Sequence, residues 1–165
     1  MSHKPLNMNE SVFGLLGGVL LALTMSSSAL AADDEEQVLK QHLALVNVKW
    51  DAVKEIVVDL DDDNYEPGEI LLKRGLAYRL RLKNIGIKAH DMVGGSFFEE
   101  NAIAFKMVST KVGRVTADHI NSVYIKPKNE AEIWFVALKA GEFSFFCSIP
   151  SHRESGMEGV IRIAD

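Results

Sequence analysis

A single cysteine, Cys147, occurs in this 165-residue chain, in the stretch FFCSIPSHRESGM, with His152 and Met157 following at C-x4-H-x4-M spacing. Thiolate and thioether are soft ligands and imidazole suits copper, so these three residue types in one loop point to a copper ion. One Cys, two His and a weak, long axial Met make up the ligand set of a blue-copper electron-transfer site. That set needs a second histidine from elsewhere. His90, in NIGIKAHDMV, is the candidate. Taken singly, each residue has a plainer reading: a lone Cys is commonly a small buried hydrophobe, and Met fills cores. It is the combination and its spacing that point to a metal. His42 and His119 have no ligand-like neighbours and read as surface residues.

The elements that must position these residues read as strands. In AYRLRLKN, Tyr78, Leu80 and Leu82 alternate with Arg79, Arg81 and Lys83, a period of two with one face buried. EIVVDL puts Ile56, Val58 and Leu60 on one face, and ILL, AIAFKMV, SVYI, EIWFVAL and GVIRI are further short strands. In GEFSFFC, Phe143, Phe145 and Cys147 share a parity, which aims the sulfur inward. Pro150 and Gly156 bracket the loop that leaves this strand and enters the next. About seven to eight short strands in one domain indicate an all-β sandwich or barrel. Residues 112–122 are expected to hold a helical turn. EEQVLKQHLALV, within residues 32–52, is a short helix or an extended arm. Trp134 is expected beside the cysteine strand, with Trp50 pinning the N-terminal segment, and Met92 and Met107 in the core. The acidic run from Asp59 to Glu66 reads as a solvated turn.

Residues 1–31 have the form of a signal peptide: Lys4, an uncharged apolar run from Val12 to Met25, and the small-residue site Ala29-Leu30-Ala31. The apolar run is short for a membrane span. The mature chain is therefore expected to be exported, periplasmic and soluble, with no stable membrane insertion. One cysteine cannot form an internal disulfide, and metal ligation protects a lone exported thiol. The formal net charge is −5 and no basic stripe occurs, which argues against nucleic acid as a partner.

From about Val53 to the end, the chain resembles the cupredoxins. LRLKNIGIKAHDMV is similar to their first-histidine region and GEFSFFCSIPSHRESGMEGVI to their C-terminal ligand loop, with a spacing like that of rusticyanin. HDMVGGSFFEENAI is similar to exported cupredoxin-like copper proteins. The resemblance implies a Greek-key β-sandwich over 53–165. It implies one type 1 copper ion cycling between Cu(I) and Cu(II), with His90, Cys147 and His152 as strong ligands and Met157 axial. His152 becomes the exposed exit for electrons and His90 the enclosed ligand, with Phe97, Phe98, Phe143 and Phe145 as apolar neighbours. The function implied is that of an electron carrier, not an enzyme, whose partner is a redox protein such as a c-type cytochrome or a copper enzyme. The alternative is periplasmic copper binding, delivery or protection through the same site. One residue departs from the pattern. Where the family often has Asn or Ser after the first histidine, organising the loops around copper and thiolate, this chain has Asp91. A carboxylate there is expected to tune the reduction potential and make it depend on pH.

Overall fold

A computed structural model describes residues 36–99, 102–115 and 120–165. The expected leader at 1–31 and His119 lie outside the described residues. Residues 36–46 are helical (α1), the helical form of the two expected there. Glu36 and Lys40, one turn apart, pair at 2.8 Å. No helix among the described residues is long and apolar enough to cross a membrane.

Residues 41–165 make one compact unit of short strands. In chain order these are β1 (Lys54–Leu60), β2 (Tyr65–Glu66), β3 (Glu69–Lys73), β4 (Ala77–Asn84) and β5 (His90–Val93). After a short helix α2 (Ser96–Glu99) come β6 (Ile103–Thr110), β7 (Gly113–Val115) and β8 (Ser122–Ile125). The last three are β9 (Glu130–Ala137), β10 (Gly141–Phe146) and β11 (Glu158–Ala164). One sheet has the order β2-β1-β4-β9-β6-β7 and the other β3-β11-β10-β5-β8. β1 pairs with β4 and β3 with β11 in parallel; the other neighbours are antiparallel. The fold is the expected all-β sandwich.

Three strands were not expected: β2 and β7, at two and three residues, are too short to show a period of two, and β5, at four residues, is buried at three successive positions and so shows no alternation. β7 also replaces part of the helical turn expected over 112–122. Thr110 Oγ1 donates to the Gly113 carbonyl at 3.2 Å and accepts from Val112 N–H at 3.3 Å, closing a tight β6–β7 hairpin instead.

The core lies between the sheets. Val58, Leu60, Leu80, Leu82, Ile133 and Phe135 fill it from the first, and Ile70, Phe143, Phe145, Ile161 and Ile163 from the second. Phe97 of α2 joins it edge-on to Phe135, with ring centroids 5.4 Å apart. Outside the first sheet, Arg79 and Arg81 each reach Glu55 at 2.8 Å. Trp134 is on this outer face as well, half-buried under the Arg79 guanidinium and 6.3 Å from Trp50. This corrects the expectation that placed it beside the cysteine strand. β9 alternates Ala131, Ile133 and Phe135 inward, which turns Trp134 out, and β9 is in the sheet opposite β10. Met92 is buried, as expected, and Met107 is half-buried.

At Gly159 on β11, a Cβ would lie 2.3 Å from the Phe145 ring and 2.4 Å from the Gly68 carbonyl oxygen. Neither a buried ring nor backbone yields easily, so Gly159→Ala is expected to cost about 1–3 kcal/mol. The measurement is urea denaturation: a lower midpoint at unchanged slope is the expected result.

Candidate metal centre

Two chain segments meet at one end of the sandwich. The first leaves β4 at Asn84 and enters β5 at His90. Asn84 is buried, and both ends of its amide are hydrogen-bonded. Nδ2 donates to the Lys88 carbonyl at 2.8 Å and the Ile125 carbonyl at 3.0 Å, and Oδ1 accepts from Gly86 N–H at 3.0 Å. Since Ile125 is also the β8 residue opposite His90, Asn84 fixes the loop and the strand pair that carry the histidine.

The second segment leaves β10 at Cys147 and returns in β11 at Glu158. Its ends are tied together: Cys147 N–H donates to the Met157 carbonyl and Met157 N–H to the His152 carbonyl, both at 3.0 Å. His152 N–H donates to the Ile149 carbonyl at 3.1 Å. Two residues, Ser151 at φ 71° and Gly156 at φ 102°, take the left-handed conformation that lets so short a loop reverse twice. Cysteine, histidine and methionine are thereby held by backbone bonds within the loop.

His90, Cys147 and His152 come together there, with one ligand-capable atom of each within 4.8 Å of the others. Cys147 Sγ is 3.5 Å from His152 Nδ1, and the two imidazole centroids are 5.0 Å apart. His90, Cys147 and Met157 are fully buried, while His152 keeps 7% of its surface exposed. Both ring nitrogens of His90 are buried and without a hydrogen-bond partner. Burial pushes the His90 pKa down, the neighbouring His152 adds to this, and Asp62 opposes it. Burial pushes the Cys147 thiol up, against the backbone N–H groups of Asp91 and Ile149. A buried imidazole kept neutral, with unpaired nitrogens beside a thiol and a second imidazole, suits a soft to borderline metal ion. His42 is exposed, as expected of a surface residue.

Three further residues, none of them singled out as site residues by the sequence pattern except Asp91, brace the cluster. Asp91 Oδ1 accepts from Ser148 N–H at 2.7 Å and Oδ2 from the Ser148 hydroxyl at 2.6 Å, joining β5 to the cysteine loop. Tyr65 donates to the Asp91 carbonyl, and burial between Cys147 and Asp91 pushes its phenol far up, so the hydroxyl stays protonated. Phe145 stands edge-on to Tyr65, with ring centroids 5.0 Å apart, and so reaches this shell. Phe97 packs against Phe98 and Phe143, in the same buried cluster as Cys147 and Met157.

No family model matches the chain. It is 27% identical over 139 residues to the copper-resistant cuproprotein CopI of Pseudomonas aeruginosa, covering 68% of this chain and 77% of that protein. With CopI of Rubrivivax gelatinosus the identity is 32% over 109 residues, covering 64% and 62%. Among solved structures, reduced auracyanin of Roseiflexus castenholzii superposes at a TM-score of 0.50 and 20% identity, over 69% of this chain and 99% of auracyanin. The McoA multicopper oxidase of Aquifex aeolicus superposes at 0.55 and 12% identity, over 73% of this chain and 31% of the oxidase. The chain has the cupredoxin fold, and the cluster at its end fits a type 1 copper site.

Asn84→Ala removes three side-chain-to-backbone bonds, of which the Gly86 N–H keeps a second partner in the Leu60 carbonyl, and is expected to destabilise the metal-free protein by about 2–3 kcal/mol. Ser148→Ala removes one of two bonds to Asp91 and is expected to cost about 1 kcal/mol. Denaturation of both variants checks the ranking; equal losses would contradict this picture of the loop.

Proposed function

We propose that His90, Cys147, His152 and Met157 hold one copper ion as a type 1 centre, and that the protein carries single electrons through it. The observation that carries this reading is the enclosed cluster itself: two imidazoles and the lone thiol within 4.8 Å, with both His90 nitrogens lacking any other partner. Copper supplies a one-electron couple between Cu(I) and Cu(II). The chain supplies a frame that stays put through that change. Backbone bonds close the loop at Cys147 and Met157, Asn84 fixes His90, and Asp91 joins the two segments. Donors held this way rearrange little between the two states, which keeps the barrier to exchange low. Of the two imidazoles, His152 alone reaches solvent and is the route for electrons to a partner such as a c-type cytochrome or a copper enzyme. Asp91 acts in this reading as the anchor of the cysteine loop.

This is a carrier and not an enzyme. Two of the five histidines and the one cysteine belong to this cluster, and among the described residues no second group of this kind occurs to build the additional copper sites of an oxidase. The leader form of residues 1–31 supports export, and this reading puts the protein's work in the periplasm among redox partners.

A second reading is copper tolerance: capture, delivery or protection in the same compartment, through the same four residues. It is favoured by the two relatives described as copper-resistant cuproproteins. The readings part on cycling. The test loads the purified protein with Cu(II), measures metal stoichiometry, records visible and EPR spectra, and titrates with a reductant. A carrier binds one copper per chain, shows an intense thiolate-to-copper band, and cycles repeatedly without metal loss. Cys147→Ser abolishes the band. A coloured protein that releases or traps copper on reduction supports tolerance instead; a colourless one removes the carrier reading, and a protein that binds no copper removes both.

A further inference from the structure

The acidic turn between β1 and β2 is not wholly solvated. Asp61 and Asp63 face outward, but Asp62 turns back over the loop that carries His90. Its Oδ1 accepts from Ile87 N–H at 2.9 Å and Lys88 N–H at 3.0 Å. Gly86 is shaped to it: a Cβ there would fall 2.4 Å from the same oxygen. Leu60 O takes the N–H groups of Ile85 and Gly86 at 3.0 and 3.3 Å, so the two segments are bonded along their length. The carboxylate is thus held in place by backbone N–H groups. This oxygen lies 3.6 Å from His90 Nε2, which is fully buried and has no hydrogen-bond partner.

A neutral imidazole has one N–H and one lone pair. A fixed anion beside Nε2 favours the tautomer with the proton there, leaving Nδ1 to bind metal. At 3.6 Å the contact is longer than a hydrogen bond, and polar contacts in empty sites commonly tighten when the site is filled. Metal-bound histidines regularly donate their second N–H to an outer partner, which sets ring orientation and basicity. We infer that Asp62 is the positioning residue for His90, accepting Nε2–H, committing Nδ1 to the metal and favouring the more highly charged Cu(II). Lys88 is the cation beside this group, and it pairs with Asp63 at 3.8 Å. The inference rests on the copper reading above for its effect on potential, but not for the tautomer.

Two measurements test it. In 15N-labelled metal-free protein, the His90 ring shifts report the tautomer: Nε2–H is expected in the wild type and a mixture in Asp62→Ala. In the copper-loaded protein, Asp62→Asn keeps an oxygen for Ile87 and Lys88 while removing the charge. It is expected to lower Cu(II) affinity relative to Cu(I) about tenfold or more, which raises the potential by about 59 mV per tenfold change. Asp63→Asn, on the same turn but paired with Lys88, removes an equal charge and is expected to shift the potential far less. An Nδ1–H tautomer in the wild type overturns the inference. So does a potential in Asp62→Asn equal to the wild type's, or a shift matched by Asp63→Asn. If the wild type takes up no copper, the copper reading falls, and the tautomer measurement still decides whether Asp62 orients His90.

Discussion

Two imidazoles and a thiol are buried together at one end of this sandwich, and that is the constraint to which the surrounding structure answers. Burying a polar group without a partner costs about 1–3 kcal/mol by mutational measures. His90 leaves both nitrogens in that condition. A sheet interior would normally relieve such a cluster by rotating a side chain outward. Here the exits are shut: Asn84 and Asp62 hold the loop before His90, and the backbone bonds between Cys147, His152 and Met157 hold the other side. The stability for this comes from elsewhere, from two sheets of alternating residues packed over a shared aromatic and aliphatic core. A site of unmet polar groups on a well-packed frame is a site arranged for a ligand.

The parts of this arrangement legible in the sequence were those with a local period or a local spacing. β4 announces itself by alternation, and Phe143, Phe145 and Cys147 by shared parity; all three of the latter are buried. Cys147, His152 and Met157 lie within one short loop, so their types and steps could be read directly. What supports them could not. Asp62 is one of three consecutive aspartates, and nothing local tells which one turns inward. Asn84 reaches the distant Ile125 carbonyl and Ser148 the distant Asp91 carboxylate, interactions with no pattern in residue types. Gly86 before the histidine was the one available hint, since a glycine beside a strand end often marks a close approach. A lone tryptophan in a strand says little about which face it takes; for Trp134 the flanking Ile133 and Phe135, both buried, say more.

The bracing also explains why a loop so rich in turn residues can serve as a precise part of the site. Tyr65 on β2 holds the peptide carbonyl of Asp91 on β5, and the Asp91 carboxylate holds Ser148 next to Cys147. This chain of bonds runs from the first sheet to the second and ends one residue from the sulfur. Tyr65 and Asp91 are buried, and that burial matters, because a water-exposed carboxylate would exchange Ser148 for solvent at little cost. Packing and polarity are therefore not separable here: Phe145 against Tyr65 keeps the hydroxyl dry, the dry hydroxyl keeps the peptide fixed, and the fixed peptide keeps both His90 and Cys147 in register. Loosening any one link would move two ligand-bearing segments at once, which is how a site made from distant stretches of chain can behave as a single rigid body.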